Sequence, residues 1–193
     1  MTFLTAMPAI QAAVQSFQNI LENLPADEVN LIASTLRQFS QTVTPPPEDP
    51  LIESLLGRRW SQEEKLQLEL ESLFRYFARR RELLAGALSA TAVAKLLGTS
   101  RQTPHDRINS QTLLGVLDKG SYRFPAWQFD AEGADGVIDG LPAVLKALDV
   151  PDFSKLNWLM RPNPILNGLT PISALKTGQK ERVIQEAAAV GLS

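Results

Sequence analysis

The run Thr44-Pro45-Pro46-Pro47-Glu48-Asp49-Pro50 constrains this chain most. Its ring-fixed φ angles and missing amide donors forbid a helix and favour an extended connection. It is the clearest linker in the sequence. Upstream, apolar residues at Ile10, Val14, Phe17, Leu21 and at Ile32, Leu36, Phe39, Val43 recur every three to four positions. That period predicts two helices broken at Pro25, Ala9 to Leu24 and Asp27 to Val43, forming a hairpin.

Downstream, Ser61-Gln62-Glu63-Glu64 has capping-box form, and Leu66, Leu70, Leu73, Phe74, Phe77 and Leu84 share one helical face. A long helix is expected over 61–86, ending on Arg79, Arg80 and Arg81. Cations there meet the negative pole of the helix dipole. The arginine run reads either as a solvated terminal turn or as a phosphate contact. No internal repeat is visible.

Charge narrows the search for function. Residues 1–50 carry -4, 51–86 +1, 87–129 +3 and 130–193 -2, within a formal net charge of -2. A chain-wide polyanion surface is excluded, so any DNA contact must be local to 87–129. With no cysteine and one histidine, thiolate zinc sites, disulfides and His-based metal sites drop out together. No phosphate loop, dinucleotide fingerprint or nucleophile elbow occurs, and Glu63 with Glu64 is explained by a helix start. The expectation is a non-enzymatic, cofactor-free protein. Met1 to Pro8 lacks a basic leader region, and the apolar stretch Leu83 to Leu97 is interrupted by Ser89, Thr91 and Lys95. A soluble, cytoplasmic protein without membrane contact is expected.

Residues 90–108 contain the order that a helix-turn-helix needs. A first helix ends at Leu97; Ala94 is small enough for a close crossing, Val93 and Leu97 face inward, and Gly98 suits a left-handed helix end. Thr103 as N-cap, Pro104 at the first helical position and Asp106 two residues later make a second start. A helix entering the major groove by its N-terminus presents Ser100, Arg101, Gln102, Thr103 and His105, with Arg107 one turn on. Arginine and glutamine have the chemistry for bidentate contacts to guanine and adenine. An ordinary surface helix is the plainer alternative. Behind it, Leu113 to Leu117 and Ser121 to Phe124 flank Asp118-Lys119-Gly120, a three-residue link predicting a bulged hairpin. Lys119 at its tip and Arg123 on its return strand are candidates for phosphate contact. Trp127 and Phe129 are expected to bury this wing, and Trp127 reads as core rather than as a base-stacking platform.

The run Val93 to Thr103, with Leu113 to Phe129 behind it, resembles the winged helix-turn-helix of MerR-like and excisionase-like DNA-binding proteins. Those usually carry an aliphatic residue where Pro104 stands.

Beyond Leu141 the pattern is short helices punctuated by proline and glycine: Leu141 to Leu148, Ser154 to Met160, Pro171 to Leu175 and Gln179 to Val190. Residues 157–172, around Trp158-Leu159, Pro162-Asn163 and Leu166-Asn167-Gly168-Leu169-Thr170-Pro171, resemble the toxin-binding domain of the Xre/MbcA/ParS antitoxin family. That pattern runs tryptophan-leucine, proline-asparagine, leucine-x-glycine-x-threonine-proline, then a helix ending near the C-terminus. Family members usually have glycine where Asn167 stands. The resemblance implies a RES-domain, NAD-consuming toxin as partner. It places Trp158, Leu159, Asn163, Leu166, Gly168 and the tail Gly191, Leu192, Ser193 at the toxin interface, with Trp158 and Leu159 holding the loop. Read singly, Trp158, Leu166 and Ile172 are each better explained as core.

The expected fold is mainly α. It comprises a helical hairpin over 1–43 as a possible dimerisation element, a Pro-rich linker over 44–60 and a long helix over 61–86. A winged helix-turn-helix over 87–129 and a small helical toxin-binding domain over 130–193 complete it. The expected function is a type II antitoxin that neutralises its toxin and, as a homodimer, binds operator double-stranded DNA to autoregulate. A DNA-binding or architectural regulator with a non-toxin partner, or an adaptor without DNA contact, are the rival readings.

Overall fold

A computed structural model describes residues 26–41 and 62–190, with isolated positions between 15 and 24. Most of the first arm of the expected hairpin, the linker over 44–60, the capping serine Ser61 and the tail 191–193 lie outside the described residues. The described residues are mainly helical with one small three-stranded antiparallel sheet. It divides into two compact units, residues 1–78 and 79–193. The first unit contains helix α1, Ala26–Gln41, and most of helix α2, Gln62–Leu83. Helical residues at Gln15, Gln18, Asn19, Leu21 and Glu22 fall within the expected first helix.

The second unit begins in the last turn of α2 and runs through strand β1 (Leu88–Ser89), helix α3 (Ala90–Leu96) and helix α4 (Thr103–Asn109). Strands β2 (Val116–Asp118) and β3 (Ser121–Phe124) come next, then α5 (Leu141–Ala147), α6 (Asp152–Leu159), α7 (Pro171–Lys176) and α8 (Lys180–Ala189). The helix ends obey local chemistry. After α3, Thr99 N–H bonds Ala94 O at 2.9 Å and Gly98 N–H bonds Lys95 O at 3.3 Å, with Gly98 at φ +64. These paired bonds close the last turn on a left-handed residue. The same closure ends α7 at Gly178, whose φ is +80. At the front of α7, the Thr170 hydroxyl accepts from Ser173 N at 3.1 Å with Pro171 behind it, as the sequence predicts.

β3 is the central strand. Leu88 pairs with Phe124, while Val116, Leu117 and Asp118 pair with Arg123, Tyr122 and Ser121. Pleating sends alternate residues to opposite faces. Leu88, Tyr122 and Phe124 pack on one hydrophobic cluster with Val93, Leu113 and Val137. Val116, on the other face, belongs to the larger cluster built from Leu114, Leu141, Leu145, Leu156, Leu159, Leu166 and Val183. The sheet is therefore a partition, with the helix pair on one side and the C-terminal helices on the other.

Three features of the second unit differ from the expectations. The two-residue strand β1 was not anticipated, because two residues carry no readable periodicity. The hairpin link is two residues, not three: Lys119 (φ +49) and Gly120 (φ +72) make a turn with both central φ angles positive, and Asp118 already pairs with Ser121. Finally, the expected boundary at 129/130 falls inside one compact unit. Gln128 holds that junction. Its buried amide accepts from Leu114 N at 2.8 Å and donates to Leu114 O at 2.9 Å and Pro125 O at 3.1 Å, pairing with a backbone segment as a strand would.

Candidate nucleic-acid interface

The helix pair α3 and α4 is joined by residues 97–102 and packs over Val93, Leu113 and Phe124. Pro104 is buried and Ile108 packs on the same cluster. Gly115 lets Ile108 approach so closely that an added Cβ would lie 2.4 Å from its Cδ1. One face of α4 is thereby turned inward, and at about 100° per residue the opposite face is Gln102, Asp106 and Asn109. All three are exposed. The N-cap is Gln102, one residue before the expected Thr103. Gln102 already has helical angles, and the Thr103 hydroxyl turns back to Ser100 Oγ at 3.0 Å instead of capping.

The structure separates the residues that spacing had grouped. Ser100, Arg101 and Gln102 are exposed at the start of α4, and Lys119 is exposed at the wing tip. Thr103 is half-buried. His105 turns toward the wing, its ring edge-on to Tyr122 at 5.5 Å between centroids, which ties α4 to β3. Arg107 is turned away from the outward face. Its guanidinium donates to Asp135 O at 2.8 Å, Thr112 Oγ1 at 3.3 Å and Thr112 O at 3.5 Å. Partial burial lowers its pKa from the ordinary guanidinium value, with the Asp135 carboxylate acting in the opposite sense. It forms one wall of an open groove of about 790 Å3, shared with Leu96, Leu97, Thr103, Phe129 and Asp135. Helical spacing cannot see this, because the partner arrives from a loop 28 residues away.

Arg123 is also displaced from its expected place. It is exposed but pairs across the sheet with Val116, so the pleat puts it on the face opposite Tyr122 and α4. In the arginine run at the end of α2, Arg79 and Arg80 are engaged within the protein. Arg79 Nε donates to Asn157 Oδ1 at 3.1 Å. Arg80 Nε donates to Asp118 Oδ1 at 3.2 Å, another of its nitrogens bonds Leu117 O, and its guanidinium lies 5.2 Å from the Phe153 ring centroid. The Asp118 charge is thus paired at the root of the wing, leaving Lys119 as the charge at its tip.

In the C-terminal part, Leu159 and Leu166 are wholly buried and Trp158 packs partly on the same cluster. The two leucines expected at a partner interface are therefore core. Trp127 likewise packs on this cluster and Phe129 on the helix-pair cluster, as expected of both. The Trp127 indole N–H is buried without a hydrogen-bond partner among the described residues. The loop 163–168 is built locally. Asn163 Oδ1 accepts from Ile165 N at 2.8 Å, and the Asn163 backbone bonds Gly168 N and Leu169 O at 3.0 Å each. Asn167 and Gly168 take positive φ in succession. Pro164, Ile165, Asn167 and Gly168 are exposed, and Ile165 is 59% exposed at the tip, its carbonyl held by Arg182.

Among the described residues, no helix is long and apolar enough to cross a membrane, and no cluster of three or more acidic or histidine side chains is placed to hold a metal ion. No family model matches the chain, and no curated protein matches it. Among solved structures, the NMR structure of Rv2175c is similar over 53% of this chain and 79% of its own, with 24% sequence identity and a TM-score of 0.46.

Proposed function

We propose that this protein is a non-enzymatic, DNA-binding regulator of the antitoxin type, reading duplex DNA with α4 and the wing and docking a partner protein through the loop at 163–168. The observation that carries the DNA half is the polar display itself. Arg101, Gln102 and Lys119 are exposed on elements braced by His105 against Tyr122 and by Arg80 against Asp118. Donors held on rigid elements suit groove insertion, and a basic wing tip suits the flanking phosphates. Operator binding as a homodimer accords with the gain that two linked half-sites give to a small module.

The partner half rests on the resemblance of residues 157–172 to Xre/MbcA/ParS antitoxins, which names a RES-domain toxin. Asn163, Gly168 and the exposed Ile165 supply the surface; Trp158, Leu159 and Leu166 shape it from beneath. A second reading, a transcription regulator with a different protein partner, accords with the burial of both leucines, which leaves neither a surface for direct contact with a toxin.

Titration of labelled promoter fragments across a salt series tests the first half. Binding should weaken steeply with salt, and Arg101→Ala should reduce affinity about tenfold. Co-expression with the product of the neighbouring gene tests the second: rescue from toxicity favours the antitoxin reading, and complex formation without toxicity favours the other.

A further inference from the structure

The outward face of α4 carries a carboxylate at its centre. Asp106 is exposed between Gln102 and Asn109, and Gln102 Nε2 donates to its Oδ1 at 3.1 Å. On a surface meant to approach a polyanion, an acid is repelled by every phosphate and weakens binding to all duplexes alike. It becomes favourable in one setting, opposite a base edge that offers a donor. In the major groove the cytosine 4-amino group is such a donor with no acceptor beside it. Adenine N6 also donates but stands next to the N7 acceptor, which would repel the second carboxylate oxygen, and guanine N7 and O6 and thymine O4 are acceptors that would face the carboxylate without a proton between them. An ionised carboxylate has about four acceptor sites, and the Gln102 amide occupies one. That single contact orients the group and leaves it capacity for a base. Arg107, the residue that spacing would have placed at the bases, is bound to Asp135 and Thr112 instead.

We propose that Asp106, oriented by Gln102, is a base-selecting residue of α4 and accepts from the 4-amino group of a cytosine in each half-site. This rests on the DNA-binding reading above. Asp106 acts by selection: it lowers affinity for duplexes with an acceptor at that position and restores it where cytosine stands. Arg101 and Lys119 supply the non-selective attraction.

The test is selection of bound duplexes from a randomised library by the full-length protein and by Asp106→Ala and Asp106→Asn, with affinities then measured for the winning duplex and its C·G to T·A variant. The natural chain should enrich one cytosine per half-site and lose about tenfold on the exchange. Asp106→Ala should flatten preference at that position alone, keep the others, and bind the exchanged duplex more tightly than the natural chain does. Asp106→Asn should move the preference toward adenine, which an asparagine amide reads through both N6 and N7. If Asp106→Ala retains the cytosine preference, or loses all duplexes equally while its circular dichroism is unchanged, the selecting role is overturned and DNA binding stands. If the natural chain enriches no duplex, the DNA-binding reading falls and this inference with it. Should Asp106→Ala fail to fold, the near-isosteric Asp106→Asn decides alone, and an unchanged cytosine preference overturns the proposal.

Discussion

Replacing Gln128 by alanine should cost this protein more than any surface change near the wing. The Gln128 side chain is wholly buried and saturates both polar groups of Leu114, itself 1% exposed, by bonds of 2.8 and 2.9 Å. Truncation strips the Leu114 N–H and C=O of that partner, at roughly 1–3 kcal/mol for each buried group left unsatisfied. The sum is about 4 kcal/mol, falling to about 2 kcal/mol if water enters the vacated space and re-solvates one of them. Against a typical total of about 5–15 kcal/mol this is severe. Urea unfolding of the full chain, monitored by tryptophan emission, should show the midpoint fall by about 1–2 M. Gln128→Glu sharpens the test. As a carboxylate it would set an acceptor against Leu114 O and Pro125 O, whereas as a neutral acid it can accept from Leu114 N–H and donate to Leu114 O. Burial and missing donors raise its folded pKa above the unfolded value of about 4.3. The variant should therefore be most stable below about pH 4 and lose stability as pH rises through its folded pKa. A loss under about 1 kcal/mol for Gln128→Ala, with unchanged m-value, would refute the view that this amide replaces a missing strand partner.

Arg80→Met should destabilise the second unit by about 1–3 kcal/mol, because it leaves Asp118 partly buried without its cation and frees Leu117 O; thermal unfolding would register it. Gly133→Ala should cost at least about 1–3 kcal/mol, since its Cβ would lie 1.9 Å from Val137 O, and amide exchange at the Phe129–Val137 bridge should accelerate. Leu166→Ala should cost about 2–5 kcal/mol, whereas Ile165→Ser, one residue away and 59% exposed, should stay within about 0.5 kcal/mol in the same melt. Partner capture should therefore fail with Ile165→Ser at full stability; retained capture would remove the loop tip from the interface.

What the chain alone determines here is whatever a residue settles with neighbours three or four positions away. Gly98 and Gly178 close their helices because the left-handed angle is cheap for glycine, and Thr170-Pro171 starts one because the cap and the missing amide act locally. The mainly helical class and the wing hairpin were legible for the same reason. Side-chain destinations were not. Arg107, Arg80 and Gln128 carry several donors on long stems, and their partners come from 28, 38 and 14 residues away. Arg123 faces away from α4 because pairing with Val116 sets its side of the pleat, a register that only the assembled sheet defines. Leu159 and Leu166 sit in a motif that resembles a binding surface, yet an apolar side chain has no directional chemistry to distinguish core from interface. Packing of the C-terminal helices against the sheet decided that they are core, because it took their full surface from water.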